Sequence, residues 1–252
     1  MRVEIELAKN AWENANAHYK ASKKAKEKII GALKALEESR KKLQQAEKKE
    51  EKREAKIPEK KKWYEKFRWF FLDDFLVIGG KDADTNEALI KKHTEKEDIV
   101  FHADLTGAPF TVIKTEGKEV SEEILKCAAA LAACYSKAWA GGLGAVDVYW
   151  IKPEQVSKSA PAGEYIGKGA FMIYGKKNYY KNTRLDLAVG YKDRLVVGDE
   201  EFVRKRCGKI VIIQPGFERA KEIAVKIKKK LKADADTEEI QRIVPAGKGR
   251  VK

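Results

Sequence analysis

The sequence predicts an α+β fold: a mostly antiparallel mixed sheet with packed helices, preceded by a long N-terminal coiled-coil helix. Three observations carry this. Residues 1–62 are dense in charge and repeat apolar residues every three or four positions, the period of a helix seam. Short alternating runs rich in β-branched and aromatic residues then recur between residues 75 and 215. Helix-period segments interrupt them without the regular strand–helix–strand rhythm of a parallel sheet.

Residues 1–56 read as an arm, helical over 3–56. Positions 8, 12, 15, 19, 22, 26, 29, 33, 36, 40, 43 and 47 alternate steps of four and three, and eight of the twelve are apolar, from Ala8 and Trp12 to Leu36 and Leu43. One helix cannot bury such a seam, so it calls for a missing partner helix or for self-association through residues 8–47. Half a coiled coil at the start of a chain reads as a piece of a longer protein. The stretch 47–62 has almost no apolar content and contains Pro58, which predicts a solvated helix end and a basic linker over 57–62.

The rest, 63–252, reads as one domain with a core at 63–191 and a basic C-terminal extension at 192–252. Trp63, Tyr64, Phe67, Trp69, Phe70 and Phe71 form an aromatic cluster, expected as the cover where the arm meets the domain. "FLVIGG" (75–80) predicts a buried strand. Asp84 and Glu87, three residues apart, predict a capped helix over 84–93. "DIVFHADL" (98–105) and "PFTVIK" (109–114) alternate as strands about the "TGAP" turn. Ser121, Glu122 and Glu123 open one alanine-rich helix over 121–140, which "GG" ends. Strands follow at 144–151, 169–174, 178–180, 184–191 and 209–215. A basic amphipathic helix at 216–232 and a short helix in the tail complete the chain.

Composition bounds the function. The net charge of +14 is uneven: +8 over 1–62, −5 over 63–136, +5 over 137–184 and +6 over 185–252. A surface polarised in this way suits polyanions, with a lysine-rich thermostable surface as the plain alternative. No run approaches the ~20 apolar residues of a membrane span, and the N-terminus does not pattern as a signal peptide, so an intracellular, cytoplasmic protein is expected. Three cysteines without a CxxC pair and three histidines argue against a dedicated zinc site, and no metal or cofactor is expected.

The stretch "GEYIGKGAFMIYGKKNYY" (163–180) invites a phosphate-loop reading, which fails. Gly163, Gly167 and Lys168 are one residue short of the Walker spacing, Gly169 stands where a metal-binding hydroxyl is required, and a strand follows instead of a helix. His102 and Asp104 share a strand face, but no third ligand accompanies them. A hydrogen-bonded structural histidine is the plain reading, and a hydrolase using the pair is the rival one. No catalytic constellation is evident, so no enzyme activity is expected.

Nucleic acid fits better. Lys168, Lys176, Lys177, Lys181 and Arg184 interleave with Tyr165, Tyr174, Tyr179 and Tyr180, supplying cations for phosphates and rings for unpaired bases. "YGKKN" is expected as a hairpin tip, with Gly175 and Asn178 in left-handed geometry. A tyrosine-rich hairpin with its rings packed inward is the alternative, and the sequence leaves both open.

Four segments then occur in an order and spacing that resemble one family: residues 63–93, "DIVFHADLTGAPFTVIK", "AAALAACYSKAWAGG" and "GEYIGKGAFMIYGKKN". They resemble the NFACT-R domain of the NEMF/RqcH family, also known as fibronectin-binding-protein-A-like proteins, and the archaeal and eukaryotic members more than the bacterial ones. The helix before them resembles the returning arm of that family's coiled-coil region. The resemblance implies a role in ribosome-associated quality control. Such factors bind a stalled large ribosomal subunit that still carries peptidyl-tRNA. They recruit tRNA and support C-terminal tailing of the nascent chain, while the ribosome performs the chemistry. The family's NFACT-N and helix–hairpin–helix regions are not in this sequence. The expected partners are therefore the large subunit and tRNA. The expected RNA-binding residues are Lys137, Trp139, Lys168, Lys176, Lys177, Asn178, Tyr179 and Arg184, with Tyr179 and Trp139 stacking on base or ribose. A purely structural coiled-coil module is the third reading.

Overall fold

The computed structural model describes residues 4–54, 62–159 and 165–252. The chain separates into two compact units, Met1–Lys61 and Lys62–Lys252. Apart from Lys62, the expected linker lies outside the described residues.

In the first unit, helix α1 spans Ala11–Glu54, about 66 Å at 1.5 Å per residue. It starts later than the seam predicts, because Asn10 caps it. The backbone N–H of Glu13 donates to the Asn10 side chain at 2.8 Å, and that of Asn10 donates to the Glu13 carboxylate at 3.0 Å. Residues ahead of the cap fold back instead of continuing the helix: the Asn14 side chain accepts from Glu6 N–H and donates to the Glu6 and Lys9 carbonyls. Ala8 therefore sits in a turn, off the seam. On the helix itself Trp12, Tyr19, Ile29, Leu33, Leu36 and Leu43 are each more than half exposed.

In the second unit the aromatic run is a strand and its lead-in. β1 (Arg68–Leu72) turns at Asp73 into β2 (Phe75–Gly79). Phe70 enters one core, Tyr64 and Phe67 enter another, and Trp63 stacks flat on His93 at 4.4 Å. Helix α2 (Ala83–His93) is capped by Asp82, which accepts from Thr85 N–H, and not by the predicted Asp84 and Glu87 pair. β3 (Ile99–Ala103) and β4 (Phe110–Lys114) follow.

The predicted helix 121–140 is two helices, α3 (Glu122–Cys134) and α4 (Lys137–Ala140). Ser136 divides them. Its hydroxyl donates to the Ala133 carbonyl at 2.7 Å and accepts from Ala138 N–H, closing one helix and capping the next. Then come β5 (Ala145–Ile151), β6 (Val156–Ser157), β7 (Met172–Ile173), β8 (Asn178–Arg184), β9 (Leu187–Tyr191) and β10 (Leu195–Gly198). Helix α5 (Glu200–Arg206), β11 (Ile210–Glu218), α6 (Ala220–Leu231), α7 (Thr237–Arg242) and β12 (Gly249–Val251) complete the order.

The sheets are antiparallel, as expected. Six strands run β1-β2-β4-β3-β5-β8, four run β10-β9-β11-β12, and β6 pairs with β7. Alternation along β3 sends Phe101 to one face and Val100 to the other. The first face packs on the small residues of α3, Ala128 and Ala132 among them, which lets the helix lie close to Val77, Ile113 and Val148. That core continues through β9 and β11 to Ile223 and Ile227 of α6. The second face gathers Ile78, Val112 and Ile151 beneath Leu89 of α2.

Candidate nucleic-acid interface

Strand β8 ends the six-stranded sheet, so only one of its sides is paired, with β5. A bulge between Val146 and Val148 bends the pair, and Asn182 takes a left-handed φ of 53° while its N–H donates to Asp147. Lys181 and Arg184 project from the strand into solvent. Tyr180 turns the other way, and its hydroxyl donates to Glu122 at 2.9 Å. Burial first, then the Glu122 carboxylate, raises the pKa of that phenol, so it stays neutral.

Between β8 and α3 lies an open groove of about 500 Å³. Its walls carry Lys126, Ala129 and Ala130 from the helix, and Tyr180, Lys181 and Arg184 from the strand. The Arg184 guanidinium pairs with Asp186 at 2.7 Å. Lys126 and Lys181 have no ion-pair partner among the described residues. The wall also carries Asp186, Asp199 and Glu200, and burial pushes the Asp199 carboxyl above its ordinary value. Cations with free donors, a neutral phenol and a half-exposed ring at Tyr179 suit a phosphate chain with unpaired bases.

The expected site residues divide into three places. Lys176, Lys177, Asn178, Tyr179 and Arg184 lie along β8 and its approach. "GKKN", however, is not a hairpin tip: β7 pairs with β6 while β8 pairs with β5, so the segment crosses from one sheet to another. Gln155 fixes the crossing, its side-chain amide donating to the carbonyls of Tyr174 and Lys176 at 2.8 and 3.0 Å. Gly175 takes the left-handed conformation there, at φ 78°, but Asn178 does not. Lys176 is exposed, and the Lys177 ammonium lies 4.4 Å from the centre of the Tyr149 ring.

The second place is the α2 side. Lys168 pairs with Asp84. The turn 167–170 is held by Lys158, which donates to the carbonyls of Gly167 and Ala170, while Asn86 donates to Gly169 C=O and Glu87 accepts from Gly169 N–H. Gly169 has φ 76°, and a Cβ on it would meet the Ala83 Cα at 2.7 Å. The turn 167–170 therefore packs on a helix and leaves no cradle open to phosphate among the described residues, Gly163 lying outside them.

The third place is α4. Lys137 is exposed beside the "TGAP" turn, its ammonium 2.5 Å from where a Cβ on Gly107 would stand. Trp139 is 1% exposed, and its indole N–H donates to the Lys248 carbonyl. A ring so enclosed offers no face to a base, and Trp139 leaves the set. Lys126 is a groove residue that the sequence reading missed. The alternation of polar positions along α3 was the available signal, but only tertiary placement puts Lys126 opposite β8.

His102 lies in β3 and Asp104 just past the end of that strand, and the imidazole is fully engaged. Burial above all pushes its pKa below the ordinary histidine value. Nε2 faces the Ala108 carbonyl at 2.9 Å, which assigns the proton there, and Nδ1 then accepts from the Tyr149 hydroxyl at 3.2 Å. Neither nitrogen is left for a metal or for a substrate proton. Asp104 faces the Tyr179 hydroxyl at 3.4 Å.

Comparison with known proteins gives this geometry a family. Residues 66–175 match the family described as "NFACT protein RNA binding domain". An archaeal Rqc2 homolog, aRqcH of Methanocaldococcus jannaschii, is 47% identical over 76% of this chain and 30% of its own length. Residues 66–175 belong to the NFACT RNA-binding domain family. A NEMF homolog of Drosophila melanogaster, named as a ribosome quality control complex subunit, is 35% identical over 82% of this chain and 21% of its own. The human subunit NEMF is 38% identical over 72% of this chain and 17% of its own. The chain thus spans less than a third of the length of these relatives. The NFACT match runs from the lead-in of β1 to Gly175, so α3, one wall of the groove, lies inside it and β8, the other wall, just beyond it. Among the described residues no helix is long and apolar enough to cross a membrane.

Proposed function

We propose that this chain is the RNA-facing part of a ribosome-associated quality-control factor. In this reading it holds a stalled large subunit carrying peptidyl-tRNA, and supports tRNA recruitment and tailing of the nascent chain. The observation that carries the reading is the groove between α3 and β8, where Lys126 and Lys181 present ammonium groups without acidic partners among the described residues on a wall shared with Tyr179. Lys176 stands exposed, and unpaired among those residues, on the approach to β8. Three unpaired lysines on α3, β8 and its approach attract a polyanion, and the RNA-binding description of the matched family supports RNA as its class. The names of the relatives support the ribosomal setting, and a cytoplasmic place belongs to the same reading.

The domain acts in this reading by binding, not by catalysis, since the His102 nitrogens are both engaged. The exposed seam of α1 makes the arm a pairing element for a second helix. Co-sedimentation with purified large subunits, with and without tRNA and across a salt series, tests the proposal. Binding that weakens steeply with salt is the expected result. Free chain in the supernatant at low salt, with and without tRNA, would sink the reading.

A further inference from the structure

At the opposite edge of the six-stranded sheet from β8, three cations converge with one carboxylate, Asp82, among them. Arg68 opens β1, and its guanidinium lies 4.4 Å from the centre of the Tyr135 ring at the end of α3. In the β1–β2 register Arg68 stands opposite Gly79, which sets Lys81, two residues past that strand, at its side. The Tyr135 hydroxyl donates to the Ile243 carbonyl at 2.5 Å, which draws the C-terminal end of α7, with Arg242, to the same ring.

Arg68 is partly buried, and none of its N–H donors meets an acceptor among the described residues. A guanidinium removed from water without an acceptor is costly, and like charges beside it raise the cost. The electrostatics agree. Burial pushes Arg68 below its ordinary value. Lys81 is lowered first by burial, then by the charges of Arg68 and Arg242. Asp82 opposes that shift and stays ionised, its carboxylate accepting from Thr85 N–H and Oγ1 at the cap of α2, so the three cations keep a net positive charge.

We propose that Arg68, Lys81 and Arg242 form a binding site for a phosphate group of an RNA backbone. Two guanidinium forks and one ammonium match the several acceptor oxygens of a phosphate, and the Tyr135 ring holds the Arg68 fork in place. One bound phosphate turns the repulsion among the three cations into attraction. The source of the phosphate rests on the RNA-binding reading above; the site itself does not, because it lies apart from β8 and the groove.

The test uses the full chain with 15N-labelled arginine side chains, titrated with inorganic phosphate at an ionic strength held constant with chloride. A short RNA is then added. The Arg68 Nε–H resonance is expected to move and saturate with phosphate. Lys81→Gln with Arg242→Gln, both at exposed positions, is expected to weaken that response at least tenfold while leaving thermal stability unchanged. Arg68→Lys keeps the charge, loses the fork, and is expected to weaken it as well. An Arg68 signal that ignores phosphate, or responds equally in the double variant, overturns the site. RNA that binds without displacing phosphate overturns the RNA source. If phosphate binds while RNA does not bind at all, the RNA source and the proposed function both fall and the anion site stands.

Discussion

The indole N–H of Trp139 donates to the carbonyl of Lys248 at 3.1 Å, joining residues 109 positions apart. The bond ties α4 to the residue just ahead of the C-terminal strand β12, which completes the four-stranded sheet. The basic tail "AGKGRVK" is thereby built into the domain. Trp139→Phe keeps most of the ring and removes the donor, and is expected to cost about 1–3 kcal/mol in urea denaturation. tRNA affinity is expected to stay at the parent value. A large drop in affinity at unchanged stability would put the ring back in the interface.

Asp98 and Lys114 form a buried ion pair at 2.5 Å, with side chains 1% and 8% exposed. The carboxylate also accepts from the backbone N–H groups of Glu95 and Thr115, so it anchors the ends of β3 and β4. Asp98→Asn leaves the Lys114 charge short of its partner inside the protein. A loss of about 3–5 kcal/mol is expected. A change below about 1 kcal/mol would show that water reaches the pair.

Glu87 ties the 167–170 turn to α2. Hydrogen bonding from Lys91 first, then from Gly169 N–H, holds its pKa down at about 2. A depressed carboxyl stabilises the fold above its unfolded value of about 4.3, and that contribution is lost as the pH falls through the folded value. Hydrogen exchange at Gly169 is therefore expected to quicken between about pH 4 and 2. The Glu87 carboxyl carbon should titrate near the bottom of that window. A midpoint at the ordinary glutamate value would mean that the turn is not held by charge.

Pairing of the α1 seam has a direct readout in mass. Self-association through Trp12, Tyr19, Ile29, Leu33, Leu36 and Leu43 predicts a dimer by light scattering, reduced to a monomer when residues 1–55 are deleted. A monomeric parent would contradict self-pairing and leave a different helix as the partner.

Much of the fold was legible wherever one local rule decided it. Alternation exposed β3, β4 and β5, and Ser121 with two following glutamates marked the start of α3. Strand β1 was hidden because apolar and aromatic residues fill both of its faces, which erases the period of two. The break at Ser136 turns on one hydroxyl bonding backward, against a strong alanine-rich helical pattern. "GKKN" read as a hairpin because its residues suit a turn, whereas the partner that fixes it is Gln155, some twenty residues upstream. The site was legible in kind and less so in place. Lysine and tyrosine density pointed to residues 176–184, while the burial of Trp139 and the acidic partner of Lys168 are set by long-range packing.

The central claim is that the β8 edge holds RNA through its unpaired cations. Fluorescence anisotropy of labelled tRNA across a salt series, comparing the parent with Lys176→Glu/Lys181→Glu, tests it most directly. The account predicts affinity at least tenfold weaker. It also predicts a slope of log K against log salt shallower by about two, since each lysine neutralises one phosphate. An unchanged slope and affinity would contradict it.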